Sequence, residues 1–331
     1  MTTLEFDVLT IGNAIVDVIA RVDEAFVARE NLVKGSMNLI EETRAEELYA
    51  HMGPATETSG GSAGNTAAGV ASFGGRAAFF GKVRDDQLGS IFAHDMKAIG
   101  VHFATLKATQ GPATARSFIL VTPDGERTMN TYLGACVNLT PADVEAHVVE
   151  AAKVTYMEGY LYDKPEAKLA FREAAKIARD AGRLTAITLS DSFCVERHRA
   201  DFLDLIKSNI DIVFANESEI TSLYQTHNFD GAATAIARDC PLAVLTRGEL
   251  GCVVVKGSER IVVPAFPIAE LVDATGAGDL FASGFLFGHT RAKPLRQCAT
   301  LGALAAAEVI SHIGPRPEVN LAKLAQTNGL L

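Results

Sequence analysis

The chain has 331 residues, 48% of them hydrophobic and 21% charged, with a net charge of −10. That is enough apolar material for one large α/β domain or two smaller ones around a sizeable core, and the negative balance argues against nucleic acid or a membrane surface as a partner. Five scattered cysteines (Cys136, Cys194, Cys240, Cys252, Cys298) form no C-x-x-C pair, the N-terminus has no basic-then-apolar leader, and no run of about 18 apolar residues occurs, which together read as a cytoplasmic protein with reduced core thiols.

In chain order, residues 8–12 are a short apolar run closed by glycine and predict a buried first strand. Residues 17–40 alternate more and carry polar positions, which predicts a small hairpin-like element outside the core. A helix with small residues on one face is expected over 66–73, a strand over 77–81, and a helix over 88–99 closed by Gly100. Residues 115–121 and 127–132 are strand-like and are joined by Thr122-Pro-Asp-Gly125. Proline presets φ and glycine accepts positive φ, so a β-hairpin follows.

From residue 154 onward strands and helices alternate. Strands are expected over 154–157, 184–189, 210–215, 243–246 and 251–255, helices over 166–181, 200–207 and 231–238, and an Ala-rich helical region over 283–290 and 295–310. Such alternation predicts a mostly parallel sheet covered on both faces. The pieces 17–43 and 111–135 do not fit it and read as one small β-lid built from two insertions, closing over substrate. The α/β core then comprises 1–16, 44–110 and 136–331.

The densest chemical signal is Asp273-Ala-Thr-Gly-Ala-Gly-Asp279, followed by an apolar run that reads as a helix. A helix start exposes unpartnered N–H groups and favours negative charge, so it suits a phosphate. A carboxylate there needs a reason, and the simplest is that Asp279 takes a proton from a hydroxyl attacking a phosphoryl group. The bare alternative is a tight turn with an acidic cap. No G-x-x-x-x-G-K-[ST] occurs, and Gly60-Gly-Ser-Ala-Gly-Asn65 is not a dinucleotide fingerprint. Asn216 and Glu219 follow an apolar strand, and they suit either the water shell of Mg²⁺ or a helix cap.

The 273–279 segment resembles the C-terminal signature of the ribokinase-like, or PfkB, carbohydrate and nucleoside kinases. Gly12-Asn-Ala-Ile-Val-Asp17, Ser59-Gly-Gly-Ser-Ala-Gly-Asn65, Asn216-Glu-Ser-Glu219 and Thr246-Arg-Gly248 resemble four further motifs of that family, in its order, over residues 8–317. The resemblance implies a three-layer α/β/α core with ATP and Mg²⁺ as cofactors; K⁺ enters by family analogy alone. It implies Asp279 as general base, with the amides of Gly276, Ala277 and Gly278 as an anion hole. Asn13, Asp17, Gly60, Gly61 and Asn65 would grip a ribose, Asn216, Thr246 and Gly248 would meet the nucleotide, and Glu219 with Asn216 would meet Mg²⁺ through water. Arg127 would approach the phosphates from the lid, whereas Lys82 and Arg84 read as a solvated loop.

Within the family, residues 18–34 and Leu189-Ser-Asp-Ser-Phe193 look like segments of adenosine kinases, although Ser192 and Thr188 depart from that pattern. Tyr160, Tyr162 and Phe193 would stack on a purine. The implied reaction is 5′-phosphorylation of adenosine to AMP, as in purine salvage, by a monomer rather than a dimer. Inosine, guanosine, ribose or fructose as acceptor, and a non-catalytic nucleoside-binding protein, are the alternatives.

Overall fold

The structure, a computed structural model, describes residues 3–331. In chain order its strands are β1 (Phe6–Ile11), β2 (Ile15–Arg21), β3 (Met37–Leu39), β4 (Thr56–Gly60), β5 (Ala77–Phe80), β6 (His102–Phe103), β7 (Ala115–Val121), β8 (Arg127–Tyr132), β9 (Ala152–Glu158), β10 (Leu184–Thr188), β11 (Ile212–Asn216), β12 (Leu242–Thr246), β13 (Cys252–Lys256) and β14 (Glu259–Val263). Nine of them form one sheet in the order β14-β13-β12-β11-β10-β9-β1-β5-β6. All neighbours from β6 to β12 are parallel, and β13 and β14 extend that edge antiparallel.

The pleat explains the three layers. Leu9, Ile11, Ile187, Val213 and Leu245 face helices Pro165–Asp180, Ser192–Asn209 and Phe229–Asp239. Val8, Val154, Tyr156, Phe214 and Val244 face the opposite way, toward helices Ser62–Ser72, Ala277–His289 and Leu295–Val309. Fully burying a Leu or Phe side chain contributes about 1.5–3 kcal/mol. Both faces being apolar is why these strands read as continuous hydrophobic runs.

A second sheet, ordered β3-β8-β7-β2-β4, stands over the carboxyl ends of the first. The β7–β8 hairpin forms as its Pro-Asp-Gly turn requires, with Gly125 at φ +84°. Residues 17–40 are not a hairpin-like element. β2 runs through the sheet between β7 and β4, β3 pairs with β8 near the other edge, and a short helix, Glu24–Arg29, is capped by Asp23 between them. The sheet also takes β4, from outside the two insertions. Its outer face is covered, because Val16, Val18, Phe118 and Leu120 pack with Phe26, Ala45 and Leu48. β14 was not anticipated; it is an edge strand with Val262 exposed, so it lacks the apolar signature of the buried strands. Lys82 is not solvated either, since it pairs with Asp143.

Candidate active site

A cavity of about 590 Å³ lies between the two sheets. Ile15, Asp17, Ser117, Ile119, Met129 and Thr131 of the small sheet form one wall, while Thr188, Ser190, Asn216, Thr246 and the 274–279 loop form the floor. The floor residues follow the carboxyl ends of β10, β11 and β12, where open α/β sheets bind ligands.

Asp279 is the third residue of helix Ala277–His289, so it sits in the first turn at the positive end of the dipole. Gly276 caps that helix at φ +80°, and a Cβ there would lie 2.8 Å from Pro315 Cα. Gly278 has ordinary geometry, and nothing would lie within 4 Å of a Cβ. Its missing side chain leaves open space above the helix start. Of the three expected amide donors, Ala277 already donates to Ala274 O at 3.3 Å. Oδ1 of Asp279 accepts from Ser62 Oγ at 2.6 Å and Oδ2 from Asn65 Nδ2 at 2.9 Å. Burial raises the Asp279 pKa; the Ser62 and Asn65 bonds and the nearby Arg316 guanidinium oppose that rise. A basic but hydrogen-bonded carboxylate facing a pocket is suited to accept a proton.

Asp273 orders the loop. Its Oδ1 accepts from Thr275 N at 3.1 Å and Thr275 Oγ1 at 2.8 Å, and its Oδ2 accepts from Gly314 N at 3.1 Å. Arg127 Nη1 lies 2.6 Å from the same Oδ2, with both side chains buried. The pair is charge against charge, since neither terminal nitrogen of Arg127 makes an aligned hydrogen bond. Arg127 is therefore engaged rather than free in a lid, and would have to leave Asp273 to reach a phosphate.

On the acceptor side, Asp17 lies opposite Ser117 and Thr58 in the small sheet. Burial raises its pKa to about 7, helped by Asp279 and opposed by Arg316 and Arg127. Gly60 does not line the cavity; a Cβ there would sit 2.2 Å from Asp17 Oδ2, so its role is to make room for that carboxylate. Gly61 does line the cavity, at φ +83°. Asn13 is turned inward and donates Nδ2 to Glu158 Oε1 at 2.8 Å.

Asn216 and Glu219 form a complete capping box on helix Glu217–Leu223, with Asn216 N and Nδ2 donating to the Glu219 carboxylate at 2.9 and 2.6 Å. Both still border the cavity. Burial lifts the Glu219 pKa to about 7, and Asp191 and Asp279 add to the rise. Among the described residues no cluster of three or more His, Cys, Asp or Glu could hold a metal ion directly, so Mg²⁺ here would meet Glu219 only through its own waters. Thr246 and Gly248 border the same end.

The aromatic wall is smaller than expected. Tyr160 borders the cavity. Tyr162 is fully buried and stacks on Phe202 at 4.6 Å between centroids, so it is a core residue. Phe193 is 69% exposed at the start of helix Ser192–Asn209 and does not reach the cavity. Sequence reasoning missed four residues. Ser62 was visible inside the glycine-rich motif. Ser190, at φ +70°, lies within Leu189-Ser-Asp-Ser-Phe193. Glu158 accepts from Asn13 N, Asn13 Nδ2 and Ala63 N and so ties β1 and β9 to helix Ser62–Ser72; its signal was a carboxylate ending an apolar strand. Arg316 was marked only by its two flanking prolines.

A family model described as pfkB family carbohydrate kinase matches residues 7–320. The crystal structure of adenosine kinase from Sinorhizobium meliloti is 61% identical with a TM-score of 0.90, covering 98% of this chain and 99% of that one. That of a probable sugar kinase protein from Rhizobium etli CFN 42 is 58% identical with a TM-score of 0.92, covering 100% of both chains. Adenosine kinase of Saccharomyces cerevisiae is 27% identical over 330 residues, 93% of this chain and 95% of that protein.

Proposed function

Because the chain belongs to the pfkB family of carbohydrate kinases, a membership carried by the match over residues 7–320, we propose that it transfers the γ-phosphoryl group of ATP to the 5′-hydroxyl of adenosine, giving AMP and ADP. The observation that carries the reaction type is Asp279, a carboxylate with raised pKa fixed at a glycine-opened helix start, in one cavity with Asp17.

Asp17 and Asn65 hold the acceptor. Asp279 removes the hydroxyl proton as the oxygen–phosphorus bond forms and the bond to the ADP oxygen breaks; the proton then passes to solvent. Positioned bases contribute about 10²–10⁴-fold. The free amides of the first helical turn meet the charge on the transferring group, and losing one such donor typically costs roughly 3–4 kcal/mol. Bound Mg²⁺ would neutralise phosphate charge near Glu219 and Asn216.

A nucleoside is favoured over a bare sugar by the apolar side chains of Ile119 and Met129 on the wall that also carries Asp17, with the Tyr160 ring elsewhere on the cavity lining. A sugar acceptor is the second reading, and the absence of Tyr162 and Phe193 from the cavity favours it. Both readings require Asp279. Asp279→Asn should bind ATP normally and lose about 10²–10⁴-fold in adenosine-dependent ADP formation. Near-normal turnover would remove Asp279 from the chemistry.

A further inference from the structure

Arg316 lies between two prolines in Gly314-Pro-Arg-Pro317, far in sequence from every motif used above. Its Nε donates to Asn65 Oδ1 at 2.9 Å, and one terminal nitrogen donates to Ser59 Oγ at 3.2 Å. Asn65 in turn donates Nδ2 to Asp279. A guanidinium has donors and no acceptor. It therefore tolerates only the oxygen end of the Asn65 amide, which leaves the NH₂ end facing Asp279. A reversed amide would set nitrogen against guanidinium and oxygen against carboxylate, replacing two bonds with two repulsions.

We infer that Arg316 is a positioning residue for phosphoryl transfer: it locks the Asn65 amide so that Asp279 stays ionised and aimed at the acceptor hydroxyl. The inference rests on Asp279 being the base. Charge supports it. Asp279 interacts unfavourably with Asp17 on β2, Glu158 on β9 and Glu219 on helix Glu217–Leu223. Arg316 is the cation that opposes proton uptake by Asp279, while Asp95 and Asp17 hold Arg316 charged and Arg127 acts on Asp17. Burial lowers the Arg316 pKa only to about 10, so it is a cation at neutral pH. The same loop bonds Asp273 through Gly314 N and brings Pro315 against Gly276, so one segment contacts both the Asn65–Asp279 network and the loop before Asp279.

The test is the pH dependence of kcat/KM for wild type, Arg316→Met and Arg316→Lys, with ATP and Mg²⁺ and with adenosine and fructose as acceptors in parallel. Arg316→Met should move the acid limb up by about 1 pH unit or more, with a loss of at least about tenfold at neutral pH that is partly recovered in alkali. Arg316→Lys keeps the charge but not the planar fork, so its limb should stay while its plateau falls. An Arg316→Met profile that superimposes on wild type after scaling would overturn the inference. If that variant does not fold, an unchanged plateau in Arg316→Lys overturns it instead. Asp279→Asn in the same series separates the two ideas: retained turnover there sinks the base, whereas lost turnover beside an unmoved Arg316→Met limb sinks only the role of Arg316.

Discussion

Asn65 donates its amide nitrogen to Oδ2 of Asp279 at 2.9 Å, joining two helix starts that are 214 residues apart in the chain. Ser62, one turn earlier, holds the other carboxylate oxygen at 2.6 Å. Each donor favours the ionised form of the Asp279 carboxylate. Ser62→Ala removes one without touching the amide network. A hydrogen bond to a charged group contributes about 1.5–3 kcal/mol, so turnover should fall roughly 10–100-fold. The sign on pH follows: a lost donor raises the Asp279 pKa, so activity should disappear at a higher pH on acidification than in wild type. A kcat-versus-pH profile checks it, and an unmoved acid limb would count against the bond.

Arg127 and Asp273 form a buried pair between the small sheet and the loop before helix Ala277–His289. Removing one partner of such a pair typically costs about 3–5 kcal/mol. Asp273 keeps three further donors, from Thr275 and Gly314. Arg127→Met is therefore expected at the lower end, about 3 kcal/mol, measured by urea unfolding. A loss well below that would show the pair to be peripheral to the fold.

The two glycines of the loop should behave differently. Gly276→Ala meets both a positive φ and the Pro315 backbone, so the variant should melt several degrees lower. Gly278→Ala has open space and ordinary geometry, so its melting temperature should stay near wild type while KM for ATP rises. Equal melting temperatures for the two variants would contradict the assignment.

Glu158 supplies a pH test of stability. Burial raises its pKa from 4.5 to about 7, opposed by the bonds from Ala63 and Asn13. A carboxylate raised in the folded state stabilises fully below its unfolded pKa, and that contribution fades as pH rises through the folded value. The free protein should therefore lose stability from this group as pH rises from 4.5 toward 7. Glu158→Gln removes the titration, and a flip of the Asn13 amide, which now points Nδ2 at Glu158, turns its unpartnered Oδ1 to accept from the new NH₂ group. The melting temperature of Glu158→Gln relative to wild type should thus rise with pH across that window. A difference independent of pH would show that Glu158 does not titrate there.

Many of the residues that border the candidate site's cavity were legible because they lie in short contiguous motifs whose turns and caps are local. Gly276, Gly61 and the Pro-Asp-Gly turn carry backbone requirements that any fold must meet. The aromatic wall was less legible, since spacing alone does not separate Tyr160 at the cavity from Tyr162 two residues on, inside the core. β4 read as core because its membership of the small sheet depends on pairing with β2, a tertiary fact. Arg316 acts through Asn65 across 251 residues, and such a contact leaves no local pattern.

The most direct measurement is phosphoryl transfer from ATP to adenosine, inosine, guanosine, ribose and fructose under identical conditions, reading both ADP and the phosphorylated product. Adenosine should give AMP and ADP in equal amounts, with kcat/KM at least about a hundredfold above ribose or fructose, a preference of roughly 3 kcal/mol. Strong turnover of ribose or fructose with none for adenosine would contradict the nucleoside assignment.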